Sequence, residues 1–105
     1  MATLMIGTPG YTAPEVLAGK PYTCGVDIYS MGALMHALIT ATLPFWSNDD
    51  QERRYKVQHE LLDFGSDDFL QRLSIEGKQI LAGMLCKDPT KRLTVEQVLE
   101  HPWFK

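Results

Sequence analysis

CGVDIYSMGALMHALITA, residues 24–41, is the stretch whose reading decides the fold. Val26, Ile28, Met31, Ala33, Leu34, Met35, Ala37, Leu38, Ile39 and Ala41 cover nearly every face of a helix wound at 3.6 residues per turn. A helix that is apolar all round is buried on all sides. The longest apolar run, MGALMHALITATLPFW (31–46), carries His36 and Pro44 and is too short to span a bilayer. Residues 24–41 therefore predict a central soluble-type helix enclosed by others, stopped before Pro44.

The flanking segments supply those others. Gly7, Pro9 and Gly10 make residues 1–13 a loop. Pro14 suits a first helical position, and Thr12-x-x-Glu15 matches a capping box, so a short helix is expected over 14–18. Asn48-x-x-Gln51 reads as the cap of a polar helix over 48–61. Gly65, Asp67 and Asp68 read as loop. Ser74 caps a helix over 75–86, with Ile80, Leu81, Met84 and Leu85 on one stripe. Asp88-Pro89 starts a tight turn. Thr94-x-x-Gln97 opens a last helix with Val95, Val98 and Leu99 inward, ending before Pro102. No stretch alternates with period two, so the fold class is all-α: about five helices around one buried central helix.

Composition sets bounds on function. The 105 residues allow one domain at most, and 45% hydrophobic with 22% charged is ordinary for a globular fold. Net charge is -3, and the ten Lys and Arg are scattered apart from Arg53-Arg54 and Lys91-Arg92. That argues against a nucleic-acid or anionic membrane surface as the main partner. Cys24 and Cys86 make no disulfide framework and read as reduced residues of a cytoplasmic protein, with a nuclear one also open. MATLMIGTPG lacks a basic leader region. His36, His59 and His101 stand alone, without a Cys or carboxylate at ligand spacing, so no metal site is expected. There is no GxGxxG and no GxxxxGK[ST], so no phosphate-cradling loop is expected.

One run is specific. Gly7-Thr8-Pro9-Gly10-Tyr11-Thr12-Ala13-Pro14-Glu15 resembles the end of the activation segment of serine/threonine protein kinases, which closes on Ala-Pro-Glu. VDIYSMG (26–32), LPFW (43–46), DPTKR (88–92) and HPWF (101–104) follow in the family's order. The series resembles the second half of a kinase C-terminal lobe, most of all in the calcium/calmodulin-dependent group. It covers essentially the whole chain: residues 1–13 as the end of the activation segment and 14–105 as the helical lobe.

The resemblance implies roles. Thr8 matches the threonine whose hydroxyl faces the catalytic Asp and Lys. Pro9, Gly10, Tyr11 and Thr12 match the loop that receives the substrate residue after the phosphorylated one. Asp27 matches the acidic residue that accepts backbone N–H groups of the catalytic loop. Glu15 and Arg92 match a buried ion pair tying the loop to the final helices. Without the resemblance, Glu15 and Asp27 would read as carboxylates favoured by a helix N-terminus, Thr8 as a loop threonine and Arg92 as a solvated charge. Where the family commonly has Trp, Gly and Pro, this chain has Tyr29, Ala41 and Leu43, differences expected to affect local packing only. Ala37 stands where some kinases for basic substrates have Glu, and Leu4 stands at the usual activation-loop phosphosite, with Thr3 one place off.

Asp63-Phe64-Gly65 spells the kinase metal-binding triplet, but the family places that triplet before Ala-Pro-Glu. Asp63 follows Glu15 by far, so it is expected to be a solvated loop charge, with Phe64 a packing anchor and Gly65 a turn. In the family's order the phosphate loop, the strand Lys, the H-R-D loop and the true triplet all precede Gly7. The expectation is that ATP and Mg²⁺ belong to a longer parent enzyme acting on protein Ser/Thr, and that these 105 residues alone are inactive. The alternative is a non-catalytic binding module. In either case one face of helix 24–41 would be uncovered, favouring self-association, cover by the first 13 residues, or docking on another chain.

Overall fold

The computed structural model describes residues 11–20 and 25–104. Among them lie six α-helices and two 3₁₀ turns, and no strand. The helices are α1 (Pro14–Leu17), α2 (Gly25–Thr40), α3 (Asp50–His59), α4 (Asp68–Gln71), α5 (Ile75–Met84) and α6 (Val95–Glu100). The 3₁₀ turns are Phe64–Ser66 and Pro102–Phe104.

α2 is the axis of the molecule, as its composition requires. Val26, Tyr29 and Ala33 pack into a cluster with Ala13, Phe45, Val57, Leu70, Leu81 and Leu85. Ile28 turns to a second cluster with Ile80, Met84 and Val98. Gly32 lets α5 approach closely: a Cβ there would sit 2.9 Å from Met84 Cβ. Burial does not extend to every side: one face of α2 is uncovered, as the resemblance implied for this stretch of a kinase lobe. Met31, Leu34 and Leu38 are 51%, 37% and 79% exposed. They recur at i, i+3 and i+7, so they form one open stripe.

Several local expectations also change. α1 has Ala13, not Thr12, at its N-cap, with no side-chain cap. Pro14 occupies the first turn, and the Glu15 carboxylate is turned to Arg92 rather than back to a cap. α3 is capped by Asp49, whose carboxylate accepts from Glu52 N, and not by Asn48. Asn48 instead accepts from the Trp46 indole at 3.1 Å. The acidic loop contains α4, because Asp67 accepts from Phe69 and Leu70 N and starts a helix turn. Ser74 caps α5, and Thr94 with Gln97 forms the reciprocal box of α6. Only Val98 of α6 faces inward; Val95 and Leu99 are exposed. A helix of six residues has room for one inward turn.

The exit from α2 is a polar clasp. His36 Nδ1 lies 2.8 Å from the Thr42 carbonyl and Thr40 Oγ1 2.9 Å from the His36 carbonyl. Burial pushes His36 below its ordinary pKa, against the pull of the Thr42 carbonyl and Asp67. Inside this turn Ala41 has φ 65° and, beyond it, Phe45 has φ 57°. Both lie in the left-handed region that L-residues with a Cβ adopt at a cost. The replacement of Gly by Ala41 is thus a backbone matter and not packing only.

Candidate functional site

Glu15 lies in the first turn of α1, and Arg92 in the turn that leads to α6. Their side chains are 3% and 1% exposed. Arg92 Nη1 donates to Glu15 Oε2 at 2.7 Å, and Nη2 donates to Oε1 at 2.8 Å. This is the two-pronged geometry a planar guanidinium offers a carboxylate. The remaining donors are also used. Nη1 reaches the Gly25 carbonyl at 3.0 Å and Nε the Cys86 carbonyl at 2.8 Å. The guanidinium carbon stands 5.2 Å from the Tyr29 ring centroid. One side chain therefore joins α1, the start of α2, the end of α5 and the approach to α6.

The segment ahead of α1 is held from the side. Ser30 Oγ donates to the Tyr11 carbonyl at 2.8 Å, and the Tyr11 ring packs partly buried against the main cluster. Thr12 is half-buried. Thr8, Pro9 and Gly10 lie outside the described residues, so the substrate-loop expectation bears on the structure only through Tyr11 and Thr12.

Asp27 sits half-buried in the first turn of α2, where the helix dipole favours a carboxylate. No donor among the described residues reaches it. It lines a groove of about 430 Å³ with Ile28, Met31, Arg92, Leu93 and Val95. Asp27 and Arg92 thus border one groove, with the open stripe of α2 continuing from Met31.

Two further residues of this region hold positions that the sequence pattern does not assign. Tyr29 is fully buried beneath Arg92, and its hydroxyl has no hydrogen-bond partner among the described residues. Burial pushes its phenol pKa up, and the nearby Arg92 charge lowers it only in part. Lys87 places Nζ 3.7 Å from the Phe45 ring centroid and donates to the Val57 carbonyl at 2.7 Å. Asp63 is exposed and accepts from Gly65 N at 2.9 Å, making a local turn, and Phe64 packs partly buried against the core. Among the described residues, no three His, Cys, Asp or Glu side chains converge as a metal site. No helix among them is long and apolar enough to cross a membrane.

An all-helical lobe in which a buried carboxylate after Ala-Pro meets a distant arginine is the arrangement that the resemblance to a kinase C-terminal lobe implied. The comparisons agree: the model of the protein kinase domain matches residues 2–104. This chain belongs to the protein kinase family. It is 41% identical over 103 residues to calcium-dependent protein kinase 10 of Arabidopsis thaliana and 42% identical to calcium-dependent protein kinase 1 of the same plant. It is 37% identical to calcium-dependent protein kinase 20 of Oryza sativa subsp. japonica. Each alignment takes 98% of this chain but only 17–18% of the relative, so the chain spans less than a fifth of those proteins. Among solved structures, an autoregulated twitchin kinase fragment of C. elegans superposes with a TM-score of 0.85. It is 34% identical, over 95% of this chain and 22% of that one. A longer twitchin kinase region gives a TM-score of 0.82 at 32% identity, over 95% of this chain and 18% of that one.

Proposed function

We propose that this chain is the substrate-facing, C-terminal part of a serine/threonine protein kinase catalytic domain. The complete domain would phosphorylate Ser or Thr of protein substrates with ATP and Mg²⁺. The observation that carries the reading is the Glu15–Arg92 pair, because it fixes the end of the 7–15 segment to the lobe. Tyr11, held by Ser30, and Thr12 continue that segment toward Thr8, Pro9 and Gly10, the proposed seat of the substrate. Asp27, whose carboxylate has no donor among the described residues, would take the backbone N–H groups of a catalytic loop across its groove.

The residues present do not fit an ATP·Mg²⁺ site. The sequence has no phosphate-cradling loop, and no three carboxylate, His or Cys side chains gather among the described residues. Phosphoryl transfer relies on metal ions and a lysine that position and neutralise the phosphates. In this reading those groups belong to the rest of the domain, and the 105 residues alone are inactive. The chain's own contribution is to shape the peptide loop and to hold the catalytic loop in place. A cytoplasmic location, with a nuclear one also open, fits two scattered cysteines.

The test uses two proteins. Calorimetry of the 105-residue chain with ATP·Mg²⁺ should give no binding heat. The longer polypeptide that contains it should phosphorylate Ser/Thr peptides, and Asp27→Asn should lower its kcat. Micromolar ATP·Mg²⁺ binding by the short chain overturns the division of labour proposed here.

A second reading is favoured by one observation, the open Met31–Leu34–Leu38 stripe. In that reading the chain is a non-catalytic module that self-associates or docks through α2. Sedimentation would then show a concentration-dependent dimer that Leu38→Glu dissolves. A monomer at all concentrations counts against it.

A further inference from the structure

Lys87 has an environment that the kinase reading does not use. Its Nζ rests on the Phe45 ring and donates to the carbonyls of Val57 at 2.7 Å and Lys56 at 3.4 Å, near the end of α3. None of the ion pairs among the described residues includes it. The side chain borders a cavity of about 460 Å³ whose walls include Phe45, Leu62, Phe64, Leu85 and Cys86. The cavity thus presents an amine at its edge and mostly apolar walls within.

We propose that Lys87 is an acylation site: its Nζ takes an apolar acyl group from an acyl thioester, and the cavity beside Phe45, Leu62 and Phe64 receives the acyl chain. The ammonium first gives a proton to solvent. The Nζ lone pair then attacks the thioester carbonyl carbon, a C–N bond forms, and the C–S bond breaks. The thiolate leaves and is protonated, and the amine gives up its second proton, so the product is a neutral amide and a free thiol.

Two features make this lysine the reactive one. Only the neutral amine is nucleophilic, and burial pushes Lys87 down to about 8, whereas an ordinary lysine titrates at 10.5. The apolar walls also let the acyl chain give up part of its contact with water. The consequence is structural. The amide retains one N–H and no charge, so the contact with the Phe45 ring and part of the link to α3 are lost.

The test exposes the folded chain to a butyryl thioester of a small thiol and follows each lysine by peptide mass spectrometry. Lys20 and Lys91, both exposed, serve as internal references. Lys87 should react on the order of tenfold faster than either at neutral pH. Its rate should rise with a midpoint near about 8. Unfolding in concentrated urea should erase the advantage, and an acetyl thioester should show a smaller one. Cys86→Ser should leave the Lys87 rate unchanged, because attack is direct. Equal rates for Lys87 and Lys91 in the folded chain overturn the proposal, as does loss of Lys87 acylation in Cys86→Ser.

Discussion

Arg92 and Glu15 stand 77 residues apart in sequence and share two parallel hydrogen bonds of 2.7 and 2.8 Å in a dry environment. Neither charge has water to fall back on, so each depends on the other. The pair therefore ties α1 to the turn that leads into α6.

Arg92→Ala should destabilise the chain by roughly 3–5 kcal/mol, because it leaves the Glu15 carboxylate buried and unpaired. It also strips the Gly25 and Cys86 carbonyls of their donor. The double variant Glu15→Leu/Arg92→Met should lose less than Arg92→Ala alone. Urea unfolding of the three proteins checks this. Unchanged midpoints in Arg92→Ala would refute a buried, mutually dependent pair.

Ala41→Gly should stabilise by up to about 1 kcal/mol. A Cβ at φ 65° costs roughly 1–2 kcal/mol, and the greater freedom of Gly in the unfolded chain takes back part of that. The clasp of His36, Thr40 and Thr42 holds the turn in either case. A rise in thermal midpoint is the expected readout, and a fall would mean that Ala41 is not strained.

Tyr29→Phe should be neutral or stabilising by about 1 kcal/mol, against the usual loss for a core change. The hydroxyl is buried without a partner among the described residues, and such a group costs roughly 1–3 kcal/mol. Phe keeps the ring beneath the Arg92 guanidinium. A loss of more than about 1 kcal/mol in denaturant unfolding would mean that the hydroxyl has a partner in solution.

The parts of the fold legible in the sequence are those governed by local rules. Ser74 and Thr94 cap their helices because the hydroxyl of each accepts from the backbone N–H three residues on, a bond that only the local sequence is needed to make. α2 announces itself by density of apolar side chains. The misread parts are those where a nearby competitor of similar chemistry wins. Asp49 displaces Asn48 as a cap, and Pro14 shifts the start of α1 past Thr12. Exposure of Val95 and Leu99 depends on which neighbours exist, and residue type does not encode that. The long-range pair was visible only through resemblance, since no spacing rule connects Glu15 to Arg92. The bond from Ser30 to Tyr11 and the seat of Lys87 had no signal, because both end on backbone carbonyls, which every residue has.

Stability should rise with pH between about 8 and 10, an unusual direction for the alkaline range. Lys87 titrates at about 8 when folded and 10.5 when exposed, chiefly because burial disfavours its charge. Between those values the unfolded chain binds more protons than the folded one, so raising pH favours folding. Below about 8 both forms are charged, and the folded state carries the full penalty of the buried ammonium. Tyr29 acts oppositely but later: its pKa is raised on folding, so its effect appears only as pH passes 10, where the unfolded phenol begins to ionise. The curve should thus climb and then turn over. Urea midpoints measured across this range should show the climb in the parent chain and lose it in Lys87→Met. The fall above 10 should persist in Lys87→Met and disappear in Tyr29→Phe. A parent curve that is flat or declining from about 8 would mean that Lys87 keeps an ordinary pKa in the fold.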